Sequence, residues 1–132
     1  MLHFLLGYTA FHIFDLNGLA LSLFFGLVFA GGHLNQEVRD YEGDLLNGIR
    51  TTAVVFGRRT TFLASLATFS AAYAVAFGAL PRQLLWVPAL WLLHLAWSLQ
   101  AFRRGLGFES AVWLQRRYRL LFALIGFAML VI

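Results

Sequence analysis

The sequence predicts an all-α, polytopic membrane helix bundle, with about four transmembrane helices and a partial N-terminal helix ahead of them. Three observations carry that expectation. Of 132 residues, 61% are hydrophobic and 12% are charged, whereas soluble domains sit near half apolar and about a quarter charged. The mean hydropathy is +0.75. Apolar runs close to the roughly 20 residues that cross a hydrocarbon core recur along the chain. The length fits a single membrane domain, 1–132.

The elements follow in order. Residues 1–14 (MLHFLLGYTAFHIF) are apolar but short, and are read as a partial helix. Residues 18–36 form the first full span, ending in polar groups; together 1–36 make the N-terminal helices. Residues 37–59 are the polar connection. Three further spans fill 60–132. The first, 60–80, is rich in small residues that allow close helix approach. The second, 84–102, has Trp86 near one end as an interfacial anchor and Pro88 as the source of a kink. The third, 112–132, opens on Trp113, Arg116, Arg117 and Arg119, whose long side chains snorkel to the surface.

Charge gives the orientation. All ten basic residues are arginine. Arg39, Arg50, Arg58 and Arg59 fall in one connection, and Arg103, Arg104, Arg116, Arg117 and Arg119 in the one two spans later. Only Arg82 falls between them. Nine of ten therefore share a face, which the positive-inside rule makes cytoplasmic, in a bacterial inner membrane. A sequence pI near 10.4 then reflects anionic lipid rather than nucleic acid. The chain has no cysteine, which excludes disulfides and thiolate metal sites.

Four of the six acids, Glu37, Asp40, Glu42 and Asp44, sit in the eight residues 37–44. If the 18–36 helix runs on through 44, then His33, Glu37, Asp40 and Asp44 share a face, and Glu42 points elsewhere. Carboxylates so spaced repel one another, and a cation must compensate. Arginines are one candidate. Mg²⁺ is the other, since it takes oxygen ligands and is typically held by one or two carboxylates plus substrate phosphates. The plainer alternative is a solvated face with surface ion pairs of little worth.

The stretch NQEVRDYEGDLLNGIRTTAVVFG, 35–57, resembles the second aspartate-rich motif of the UbiA superfamily of intramembrane prenyltransferases. The family pattern of two aspartates four apart, then a glycine and a threonine, is matched by Asp40, Asp44, Gly48 and Thr51, with Asn35 upstream. The resemblance implies half of a UbiA-type fold and a Mg²⁺ cofactor on Asp40 and Asp44. It implies a prenyl diphosphate as substrate, approached by Arg50 or Arg39 and lined by Asn35, and an aromatic or lipid acceptor. No residue is assigned as the catalytic acid or base. The family's first aspartate-rich motif is not found: the acid ahead of residue 37 is Asp15, in FDLNG. The chain is therefore expected to match the C-terminal half of a family member and to be inactive alone. It would become a prenyltransferase when another membrane protein chain completes it. The alternative is a non-catalytic UbiA-derived subunit of a larger complex binding pigment, quinone or isoprenoid lipid.

Other residues carry smaller expectations. His94, mid-span, is read first as a neutral histidine bonded to a neighbouring helix and second as an axial ligand to a porphyrin. His3 and His12 are read as interfacial. His33 is placed to orient Glu37, and Glu109 to pair with Arg103 or Arg104. Trp91, Trp97 and the fourteen phenylalanines are read as packing and lipid contact.

Overall fold

The computed structural model describes residues 2–10, 13, 15–79 and 86–131. Arg82 and His12 lie outside the described residues. Six helices follow in order: α1 (Leu2–Thr9), α2 (Leu16–Leu46), α3 (Thr52–Phe56), α4 (Arg58–Ala79), α5 (Trp86–Arg103) and α6 (Phe108–Val131). Helix α2 is the axis of the bundle. It packs along α4 and α6 and touches α1 and α3, while α5 bridges α4 and α6.

Helix α2 explains where the acids stand. Asp15 caps its start: the carboxylate accepts from the Gly18 amide at 2.7 Å and from the Tyr8 hydroxyl at 3.0 Å, which also ties α1 to α2. The 31 residues run unbroken, because Glu, Gln, Arg and Leu are good helix formers and no proline interrupts them. At 1.5 Å per residue the helix is about 46 Å long, against a hydrocarbon core of about 30 Å. Its last turns therefore stand clear of the apolar layer. The segment 37–46, part of the polar connection by composition, is helical and carries Asp40 and Asp44 out on a rigid rod.

Its end is set by Gly48, at φ 67°. The Ile49 amide bonds the Asp44 carbonyl at 2.8 Å and the Gly48 amide bonds the Leu45 carbonyl at 3.3 Å, the paired closure that a left-handed residue after a helix makes. The short α3 follows. Gly57, at φ 89°, turns the chain from α3 into α4.

The core is aromatic. Phe69 and Tyr73 of α4, His94 of α5 and Tyr118 and Phe122 of α6 pack with ring centroids 4.7 to 6.2 Å apart, and Phe24 of α2 meets Phe122 at 6.1 Å. Helices α2 and α4 approach closely where Ser65 donates to the Gly31 carbonyl at 2.7 Å. Trp91 donates to Ser70 at 3.1 Å, joining α5 to α4.

Two helices, α2 and α4, are by themselves long and apolar enough to cross a membrane among the described residues, where four spans are expected. Helix α5 has 18 described residues and spends some of them on His94, Gln100 and Arg103. Helix α6 begins amphipathic, with Gln115, Arg116, Arg117 and Arg119 in its first half. Pro88 lies in the first described turn of α5 rather than mid-helix, where a missing amide hydrogen disturbs little.

Candidate functional site at the end of helix α2

The acid-rich end of α2 is held by partners from three other elements. Arg39 forks onto Asp40, with Nε and Nη2 donating to the two carboxylate oxygens at 2.7 and 2.6 Å. Its remaining Nη1 donates to Gln115 Oε1 on α6 at 3.1 Å. Arg39 and Asp40 are both half-buried. The fork holds the Asp40 carboxyl below its ordinary value and raises the Arg39 guanidinium; partial desolvation works against both.

Glu37 serves a different purpose. Its carboxylate accepts the Ala53 amide of α3 at 3.1 Å and lies 3.4 Å from His33 Nε2, one turn back. The Thr51 hydroxyl accepts the Val54 amide at 3.4 Å. Both groups therefore satisfy the free amides that open α3, and Glu37 pins α3 against the end of α2. Glu42 pairs with Arg58 at the start of α4, and the Arg58 guanidinium lies 4.5 Å from the centre of the Tyr41 ring. Glu42 thus points away from Asp40, as its spacing requires.

Asp44 is the exception. It is half-buried, one turn beyond Asp40, and no side-chain hydrogen bond or ion pair engages its carboxylate among the described residues. Arg50 lies in the α2–α3 connection, exposed and without an ion pair among the described residues. Asn35 is 2% exposed, and its Oδ1 has no hydrogen-bond partner among the described residues. The arrangement thus joins Arg39 to Asp40 directly, leaves Asp44 and Arg50 without an ion pair among the described residues, and buries Asn35 in the bundle. Among the described residues no three His, Asp or Glu side chains cluster into a metal site. The donor set at the end of α2 is two aspartates a turn apart, which suits an ion completed by phosphate oxygens and water.

Periodicity places Gln115 on another helix and so does not mark it, yet it is the residue that anchors Arg39. Glu37 was legible as an acid on the right face, though its amide partner is not. Glu109 makes no ion pair with Arg103 or Arg104 among the described residues; it stands in the first turn of α6, where negative charge is favourable.

The model of the UbiA prenyltransferase family matches residues 1–125. The chain belongs to this family. No curated protein and no solved structure matches it. Membership makes the helix bundle an integral membrane protein of the prenyltransferase type, whose substrates are prenyl diphosphates and lipid-like molecules.

Proposed function

We propose that this UbiA-family chain carries one half of a diphosphate site, with Asp40 and Asp44 holding Mg²⁺ and Arg39 and Arg50 meeting the diphosphate of an isoprenoid donor. The prenyl group passes to an aromatic or lipid acceptor. The observation that supports this most is the Asp44 carboxylate, without a side-chain partner among the described residues, one turn past an aspartate paired to Arg39. Two like charges at that spacing are unfavourable unless a cation joins them. Mg²⁺, when bound, neutralises charge developing on the departing diphosphate.

The chain's own groups do the rest. Asp40 and Asp44 present oxygens from a rigid helix end, so their spacing is fixed before any ligand arrives. Arg39 would meet the diphosphate once freed from Asp40: its planar donors match phosphate oxygens as well as they match a carboxylate. Glu37 and Thr51 hold α3, and so fix the loop that carries Arg50. Residues 1–36 supply no second aspartate cluster, so the remaining acidic ligands come from a further segment or a partner chain.

Binding provides the test, because it does not require the complete site. Mn²⁺ in place of Mg²⁺, followed by electron paramagnetic resonance with geranyl diphosphate present, is expected to show a bound ion. Asp40→Asn with Asp44→Asn is expected to weaken it by at least about tenfold. Turnover of a prenyl diphosphate in a reconstituted complex should fall with the same variant. Unchanged Mn²⁺ binding in the double variant overturns the assignment. One observation favours a second reading: Arg39 already neutralises Asp40 within the fold, as in a subunit that keeps the aspartates for structure. That reading expects Asp40→Asn to lower thermal stability and leave Mn²⁺ binding absent in both proteins.

A further inference from the structure

The turn between α5 and α6 lies on the same face of the bundle as the end of α2, and the diphosphate site does not use it. A hollow of about 450 Å³ opens there, lined by Arg104, Gly107, Phe108, Glu109, Ser110 and Trp113. That volume is in the range of small-ligand clefts, ~300–1,000 Å³. Arg104 lines the hollow and Arg117 stacks on its Trp113, with no carboxylate within 4.0 Å of either among the described residues. Both are held by aromatic faces. Arg117 lies 4.0 Å from the centre of the Trp113 ring and 5.9 Å from that of Trp97, and Arg104 lies 5.3 Å from that of Trp113. Such stacking orients a guanidinium without neutralising it; Arg117 Nη1 donates to the Trp113 carbonyl at 3.2 Å, which leaves its other donors and those of Arg104 for a ligand.

We propose that this hollow is a headgroup site for an anionic phospholipid. Two guanidinium groups at the hollow, against the single carboxylate of Glu109, call for a phosphate. What distinguishes a lipid phosphate from a free one is the surface that continues from the hollow. Leu120, Leu124 and Phe127 follow Trp113 at spacings of seven, four and three, which places them on one face of α6. They are 67%, 59% and 69% exposed. An acyl chain laid along that face would cover apolar surface that a free phosphate leaves bare. Glu109, which is exposed and lines the same hollow, accepts a hydrogen bond from a hydroxylated headgroup, so phosphatidylglycerol is the expected form.

Native mass spectrometry of the full chain in a nonionic detergent tests this, with phosphatidylglycerol, phosphatidylethanolamine, phosphatidylcholine and inorganic pyrophosphate titrated separately. Phosphatidylglycerol is expected to bind preferentially. Arg104→Gln is expected to weaken it about fivefold, the effect of one basic group near an anionic headgroup, and Arg104→Lys to restore most of the affinity. Arg104 is exposed, so circular dichroism should show both variants folded. Equal binding of phosphatidylcholine or phosphatidylethanolamine overturns the proposal. So does an unchanged affinity in Arg104→Gln, or displacement of the lipid by an equimolar amount of pyrophosphate. The Asp40→Asn, Asp44→Asn protein should keep the lipid response, so that this proposal and the diphosphate reading stand or fall separately.

Discussion

At the scale of single residues, the decisive feature is the difference between Asp40 and Asp44. Asp40 is tied to Arg39 and its carboxyl is held below the ordinary range. The sign of the consequence follows from linkage. A depressed folded value adds stability above the unfolded pKa, near 3.9, and that stability is lost as pH falls through the lower folded value. The pair is part-exposed, with the Asp40 side chain 41% accessible, so its worth is about 0–1 kcal/mol. Acid titration of the apoprotein, followed by the Asp40 carboxyl resonance, should therefore show protonation below pH 4, and Arg39→Gln should return it toward the ordinary value. No shift on Arg39→Gln would remove the fork from the account. The Arg39–Asp40 pair was not legible in the sequence, because adjacent residues on a helix do not face one another. It forms because a guanidinium is long enough to turn back on its neighbour while Gln115, far away in the chain, holds the other edge. The pair Asp40 and Asp44, by contrast, was legible from spacing alone, as was the outward turn of Glu42.

At the scale of elements, the small helix α3 is held by two acceptors, Glu37 and Thr51, on its first free amides. Thr51→Ala should cost about 1 kcal/mol, the usual worth of a helix cap. Glu37→Gln keeps the shape and gives up the charge, and should cost about 0.5–1.5 kcal/mol. Hydrogen exchange at Ala53 and Val54 locates each loss, with protection falling at Ala53 first for Glu37→Gln. The α2–α4 contact is more demanding. A methyl group added at Gly31 would lie 2.8 Å from the Phe69 ring, and Phe69 is fixed by three neighbouring rings, His94, Tyr118 and Phe122. Gly31→Ala should destabilise by about 1–3 kcal/mol through overpacking, measured by thermal unfolding in micelles; a neutral result would mean that the ring moves freely. The spans 18–36 and 60–80 could be read in advance because their apolar runs are uninterrupted. The C-terminal pair was harder, since α5 and α6 spend part of their length on His94, arginine and tryptophan whose partners lie on other helices.

At the scale of the whole molecule, the four long helices bring buried polar atoms into one interior. Ser22 and Asn35 on α2, Tyr73 on α4, His94 and Ser98 on α5, and Gln115 and Tyr118 on α6 each leave an atom without a hydrogen-bond partner among the described residues. Such groups are costly in a bilayer, where no bulk water reaches them. His94 is 1% exposed and is surrounded by Phe69, Tyr73, Tyr118 and Phe122 at 5.1 to 5.7 Å. The neighbouring helices thus supply rings around it, and its Nδ1 has no hydrogen-bond partner among the described residues, where a hydrogen bond to a neighbouring helix is expected. Replacing an unpartnered polar group by an apolar one of similar shape is neutral or favourable, so His94→Phe should leave the unfolding temperature unchanged or raised; a drop worth more than about 2 kcal/mol would reveal an internal water on Nδ1. The orientation of the bundle can be tested as directly, because the chain contains no cysteine and any one introduced is the only thiol. Helices α2 and α4 run in opposite directions, so Asn47, after the end of α2, and Gly78, near the end of α4, fall at opposite faces, and both are exposed. Nine arginines accompany Asn47. In sealed, right-side-out vesicles, Gly78→Cys should react with a membrane-impermeant maleimide from outside, while Asn47→Cys should react only after the membrane is opened. The reverse pattern would put the aspartates on the outer surface, away from the compartment where prenyl diphosphates and Mg²⁺ are held.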